Sequence, residues 1–184
     1  DVDGSVEAFR DALTIYRNVH GDEHPEVANT TNNLGIMLVE QGQTEEARRM
    51  FEDALAVRTR LLDPGHPDIA KSQVALADVL LDSDEFAESA RLATEAGVAF
   101  GESLGADHWR TAVARSVEGA ALTGLERFDE AEPKLLEANE TLMSDDTVQE
   151  SYVTDNLERL VDLYVAWNRP QDAAKYRKEL ANYR

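Results

Sequence analysis

The stretch GDEHPEVANTTNNLGIMLVEQGQTEEA, residues 21–47, decides how the rest of the chain is read. His24-Pro25 marks a helix start, because proline in the first turn gives up an N–H that has no intrahelical acceptor there, and the residue before it is pushed to extended dihedrals. Val27, Leu34 and Leu38 then recur on one face of an α-helix. The pattern breaks at Gln41-Gly42-Gln43 and resumes in a second amphipathic run through Ala47, Phe51, Ala54, Leu55 and Arg58. So short a break between two amphipathic helices makes an antiparallel hairpin.

The unit recurs. GDEHPEVA from Gly21, DPGHPDIA from Asp63 and GADHWRTA from Gly105 place histidines at His24, His66 and His108, so the period is 66−24 = 108−66 = 42 residues. Small residues keep the same register in three columns: Ala28, Ala70, Ala112; Ala47, Ser89, Ala131, Ala173; and Ala12, Ala54, Ala96, Ala138. Across each hairpin, Gly35, Ala77 and Gly119 are expected to face Ala47, Ser89 and Ala131. Small side chains there let helix axes approach to roughly 8–10 Å. One hairpin cannot bury its own apolar face, and stacked hairpins can, which makes a solenoid. The expectation is therefore an all-α solenoid of about nine helices forming a single domain over 1–184. Residues 1–20 would be the second helix of a truncated repeat, and 25–62, 67–104, 109–145 and 148–183 four full repeats.

Composition agrees and excludes several functions. The 184 residues are 42% hydrophobic, too apolar for a disordered chain. No apolar run approaches the roughly 18 residues that span a bilayer. With 37 acidic against 18 basic residues the net charge is −19, which repels phosphate backbones and anionic membranes, so neither nucleic acid nor membrane is an expected partner. There are no cysteines, which removes disulfides, thiolate metal sites and cysteine nucleophiles. The cations are mostly arginine, with lysine only at Lys71, Lys134, Lys175 and Lys178, a bias suggesting a GC-rich genome. The chain opens on Asp1 without a methionine, which suggests a piece of something longer.

These residues resemble the tetratricopeptide repeat, whose pattern runs W-x2-L-G-x2-Y, then A-x3-F and a further alanine. The first full unit supplies Leu34, Gly35, Leu38, Ala47, Phe51 and Ala54; the second Leu76, Ala77, Leu80, Ser89, Ala93 and Ala96. The third keeps Gly119, Leu122, Ala131, Leu135 and Ala138 but has Glu118 where leucine belongs. The fourth has Leu160, Val161, Tyr164, Ala173 and Leu180, with Arg177 in place of the aromatic. A 42-residue period with H-P between units is similar to the kinesin light chain subclass, also common in bacterial signalling proteins. The eight residues beyond the usual 34 would lengthen the second helix by about two turns. The ending RLVDLYVAWNRPQDAAKYR resembles the tail of bacterial serine/threonine kinases that carry such repeats.

At the ends, Val6, Phe9 and Leu13 would keep an uncovered side, open to a second copy, another chain or an upstream helix. Lys175, Arg177 and Lys178 make a polar last helix of the kind a terminal cap needs, with the C-terminus expected near Arg184. No enzyme is expected. His24, His66 and His108 read as helix caps, since equivalent residues of stacked hairpins lie too far apart for one metal ion. Glycine-rich phosphate loops, G-x-S-x-G and H-E-x-x-H do not occur. No cofactor is implied. Trp109 and Trp167 read as packing residues, and Glu118 is expected to pair with Arg115 or Arg127.

The resemblance implies a right-handed superhelix whose first helices line a concave, peptide-binding groove. Its positions here are Asn29, Asn32, Ile36, Val39 and Glu40; Lys71, Val74, Asp78, Leu81 and Asp82; Val113, Ser116, Ala120 and Thr123; and Asp155, Glu158, Asp162 and Val165. Relatives that grip a chaperone's carboxylate tail use lysines, arginine and asparagines, and only Asn29, Asn32 and Lys71 qualify. The expected function is a cytoplasmic protein-interaction scaffold, the regulatory part of a larger signalling protein. Its partner would be a peptide or protein with basic and apolar residues. The other reading is self-assembly, with homo-oligomers forming through the N-terminal helix.

Overall fold

The computed structural model describes residues 2–183. Nine α-helices follow one another among them: α1 (Val2–His20), α2 (Pro25–Glu40), α3 (Thr44–Leu61), α4 (Pro67–Leu81), α5 (Phe86–Leu104), α6 (Trp109–Gly124), α7 (Phe128–Ser144), α8 (Glu150–Ala166) and α9 (Pro170–Leu180), with a 3₁₀ turn at Ala181–Tyr183. Each helix packs on the next. In addition α4 touches α6, and α6 touches α8. The result is an all-α solenoid of antiparallel hairpins. The second helices exceed the first by fewer than two turns, at 18 against 16, 19 against 15 and 17 against 16 residues. The rest of the period lies in the loops 62–66, 105–108 and 145–149.

The turns inside the hairpins repeat as strictly as the core. Gly42, Asp84, Glu126 and Asn168, spaced by 42, all take positive φ, between 56° and 72°. The following amide donates back to the helix just ended, from Gln43 to the Leu38 carbonyl, Glu85 to Leu80, Arg127 to Leu122 and Arg169 to Tyr164, at 2.8–3.0 Å. This left-handed closure satisfies carbonyls that the helix end would orphan. The joints between hairpins use histidine. His24, His66 and His108 each accept on Nδ1 from the amide two residues on, at 3.1–3.2 Å, which is the N-cap role expected of them.

Contacts across the hairpins differ in detail from the expected facing pairs. Ser89 does meet Ala77, donating from Oγ to its carbonyl at 2.7 Å. Gly35 faces Phe51 and Gly119 faces Leu135: a Cβ built on either glycine would fall 2.5–2.6 Å from that side chain. Glycine is thus required where the opposite residue is large.

The uncovered side of α1 also differs. Val6 and Leu13 are buried, and with Phe9 they join the core formed with Val27, Leu34 and Leu38. The apolar residues left open on α1 are Ile15 and Val19, 60% and 67% exposed. Glu118 pairs with Lys134 Nζ at 3.0 Å. Arg127 instead binds Glu130, and Arg115 lies 3.5 Å from Glu137. Trp109 packs on His108 and Tyr152, and Trp167 on Phe128. At the far end Ala173, Tyr176 and Leu180 are buried while Lys175, Arg177 and Lys178 are exposed. The expectation at Arg184 lies outside the described residues.

One joint is built differently from the others. Arg58, only 5% exposed, donates to Asn29 Oδ1 (2.8 Å), Asn32 Oδ1 (3.1 Å), Ser72 Oγ (2.6 Å) and the Asp68 carbonyl (2.9 Å). It therefore ties α3 to α2 and α4 through neutral acceptors. Burial holds its guanidinium below the usual arginine range, with Asp68 opposing. One period on, the same three positions are Phe100, Val74 and Ala114, an apolar cluster.

Candidate functional site

Among α4, α6 and α8 the middle helix presents small side chains to the concave side. Ala120 and Thr123 are partly exposed there, and Ser116 is buried. The side chain of Arg159 on α8 spans α6 to reach α4. Its Nη1 donates to Ser116 Oγ at 2.9 Å, and its Nη2 binds Asp78 Oδ1 on α4. Three successive hairpins are joined by this one side chain.

A cleft of about 520 Å³ opens around that contact. One wall carries Asp78 from α4 and Asp82 from the C-cap that follows it, and the other carries Asp155, Glu158 and Asp162 from α8. Val39, Leu81 and Phe86 supply apolar surface. Arg159 is the sole lysine or arginine among the described residues of the lining. Partial loss of water pushes the carboxyls of Asp82, Asp155 and Asp162 above the ordinary range. Asp78 adds repulsion at Asp82 and Asp155, and Glu158 at Asp162 and Asp155; Arg159 offsets it for the first two, and Arg177 for Asp162. Like charges gathered on facing walls favour protonation or a cation.

Of the residues expected in the groove, Val39, Asp78, Leu81, Asp82, Ala120, Thr123, Asp155, Glu158 and Asp162 come together in this cleft. Ile36 is exposed and Val74 partly buried, both outside its lining. Lys71 is exposed and engages Asp68 at 2.6 Å. Asn29 is exposed and Asn32 is 6% exposed, and both spend their carbonyl oxygens on Arg58. Ser116 is 1% exposed and taken by Arg159. Asn32 and Ser116 therefore correct the expected list, since buried, engaged groups present nothing to a ligand. Sequence reasoning missed Arg159 and Phe86. The positions one, two and three periods before Arg159 are Val117, Ala75 and Asn33, so the repeat gave no hint of a cation there.

Among the described residues, no group of three or more His, Cys, Asp or Glu side chains is placed to hold a metal ion. No helix among them is long and apolar enough to cross a membrane.

Stacked antiparallel hairpins with a concave cleft define a helical-repeat scaffold. The pattern described as tetratricopeptide repeat matches residues 1–60 and 32–96, together more than half of the 184-residue chain, and the chain belongs to that family. Its repeats are interaction scaffolds that bind protein partners, not a catalytic fold. A comparison with curated proteins found no match. Among solved structures, a Podosopora anserina kinesin light chain with nearly identical TPR-like repeats is similar at TM-score 0.73 and 19% identity, over 99% of this chain and 86% of that one. BtubC (BKLC) from P. vanneervenii is similar at TM-score 0.77 and 16% identity, over 100% of this chain and 73% of that one. At these identities the likeness concerns the fold.

Proposed function

We propose that this chain is a cytoplasmic protein-interaction scaffold whose concave cleft binds a segment of a partner protein rich in basic residues with apolar anchors, as the regulatory part of a larger signalling protein. The observation that carries the reading is the cleft itself: five carboxylates from α4, its C-cap and α8 line it with one guanidinium, beside Val39, Leu81 and Phe86. A cleft of one sign concentrates ligands of the other. The apolar patch offers pockets for anchoring side chains. The groove of the chaperone-tail type needs cations, and only Lys71 stands exposed at its N-terminal end, already paired with Asp68. A peptide array probed with the wild type and with Asp78→Lys, Glu158→Lys and Asp162→Lys tests the reading. Basic peptides are expected to dominate the wild-type signal and to be lost in the variants; an unchanged pattern removes it.

A second reading, self-assembly, is favoured by Ile15 and Val19. They stand 60% and 67% exposed on α1, whereas Val57, one period after Ile15, is 9% exposed. Light scattering decides it: a monomer at high concentration eliminates assembly through α1.

A further inference from the structure

The cleft already holds a guanidinium, and that guanidinium belongs to the chain. Arg159 leaves its own helix, spans α6 at Ser116 and binds Asp78, 81 positions earlier. Its side chain is 15% exposed, so it sits within the cleft and does not wave over it. Nothing in the repeat calls for it, because its counterparts Val117, Ala75 and Asn33 carry no charge. Asp78 in turn is 47% exposed, so the carboxylate it holds is within reach of an incoming group.

Resting on the basic-partner reading above, we propose that Arg159 occupies the cleft's own cation subsite, and that an arginine of a partner segment seats by displacing it from Asp78. Two consequences follow from charge alone. A single cation gains little by exchange, since one guanidinium–carboxylate contact replaces another. A segment with several arginines gains more, because its other cations meet Asp155, Glu158 and Asp162 on the opposite wall while the displaced Arg159 returns to water. Arg159 thus acts as a specificity residue that raises the number of charges a partner must bring. It also ties α4 to α8, so its release frees the two walls to adjust.

The test uses a fluorescein-labelled hexa-arginine peptide and the full chain, with anisotropy read at low salt. Arg159→Gln removes the charge and, with a shorter side chain, vacates the subsite, and it is expected to bind the peptide about tenfold tighter than the wild type, a step of about 1.4 kcal/mol. Arg159→Lys keeps the charge without the two-pronged reach and is expected to fall between. Ser116→Ala removes only the second anchor and should tighten binding about twofold, which serves if Arg159→Gln fails to fold by circular dichroism. Equal or weaker binding by Arg159→Gln, or by Ser116→Ala in its place, overturns the proposal. The double change Asp155→Asn with Glu158→Gln separates the two layers. If it weakens the wild-type complex while Arg159→Gln leaves it unchanged, the basic-partner reading stands and the displacement falls. If no form binds hexa-arginine, both fall.

Discussion

Gly35 on α2 lies against the ring of Phe51 on α3, so closely that a Cβ on Gly35 would stand 2.5 Å from Phe51 Cε1. The same two columns hold Ala77 with Ala93 one period on and Gly119 with Leu135 after that. In the first and third hairpins volume is traded: a large residue on the second helix goes with glycine on the first, whereas the fourth has Val161 with an exposed Arg177. Gly35→Ala is therefore expected to destabilise by about 1–3 kcal/mol through overpacking, less up to about 1 kcal/mol regained in helix propensity. Phe51→Ala alone should lose about 3–5 kcal/mol. The double variant recreates the Ala77–Ala93 pair and should be more stable than the sum of the singles by about 1 kcal/mol or more. Urea melts of the four proteins check it, and strict additivity contradicts the packing account.

Turn geometry supplies a stabilising change. Asp84 and Glu126 hold φ of 59° at positions where the first hairpin has Gly42. A non-glycine residue in that region is strained by about 1–2 kcal/mol, partly offset by the lower entropy of its unfolded chain. Glu126→Gly is expected to stabilise by about 0.5–1 kcal/mol, and Gly42→Ala to destabilise by a similar amount. A thermal melt in which Glu126→Gly lowers Tm runs against this.

The polar joint at Arg58 can be exchanged for its apolar counterpart. Arg58→Phe alone removes the charged donor to Asn32 and Ser72, leaving them buried with only the Ser72 Oγ to Asn32 Oδ1 bond at 2.9 Å, and should cost about 3 kcal/mol. Adding Asn32→Val and Ser72→Ala installs the residues found one period on, Phe100, Val74 and Ala114. The triple variant is expected to recover most of that loss, since apolar replacement of a buried polar cluster is often neutral or better. Denaturant midpoints for the single and triple variants decide it.

Much of this was legible because the 42-residue register constrains several columns at once. Ala47, Ala54, Leu34 and their counterparts announced the hairpin core, and the histidines announced the joints. What the register could not carry are contacts made once. Arg159 reaches Asp78 across α6, where the small Ser116 accepts from its other Nη. Glu118 finds Lys134 on the neighbouring helix, not an arginine near it in sequence. Asn32 and Ser116 sit at positions that the family's groove uses, yet the particular arginines opposite them draw both inward. For the same reason the open face of α1 was misplaced: Val6 and Leu13 follow the apolar stripe, while exposure depends on which neighbour is present.

The acidic walls link stability and binding with opposite signs. Asp82, Asp155 and Asp162 have carboxyls raised above the ordinary range, chiefly by loss of water, so their ionised forms are disfavoured in the folded chain. The stability such a group contributes is fully present below its unfolded pKa, about 3.9 for aspartate, and is lost as pH rises through the higher folded value. At neutral pH all three therefore weigh against folding. Asp155→Asn and Asp162→Asn are expected to raise Tm at pH 7 and to leave it nearly unchanged below the aspartate range. A bound basic peptide favours the ionised carboxylates, so it must release protons near the raised values. Its affinity should start to fall at a pH above the ordinary carboxylate range as the solution is acidified. The two asparagine variants should each weaken hexa-arginine binding by about two- to fivefold at low salt, the range for a partly exposed ion pair. Calorimetry of the wild type at a series of pH values above the ordinary carboxylate range, in two buffers of different ionisation enthalpy, measures the protons released. Absence of proton release, or variants that lose stability and binding together, contradicts the assignment of these carboxylates to a cation-binding wall.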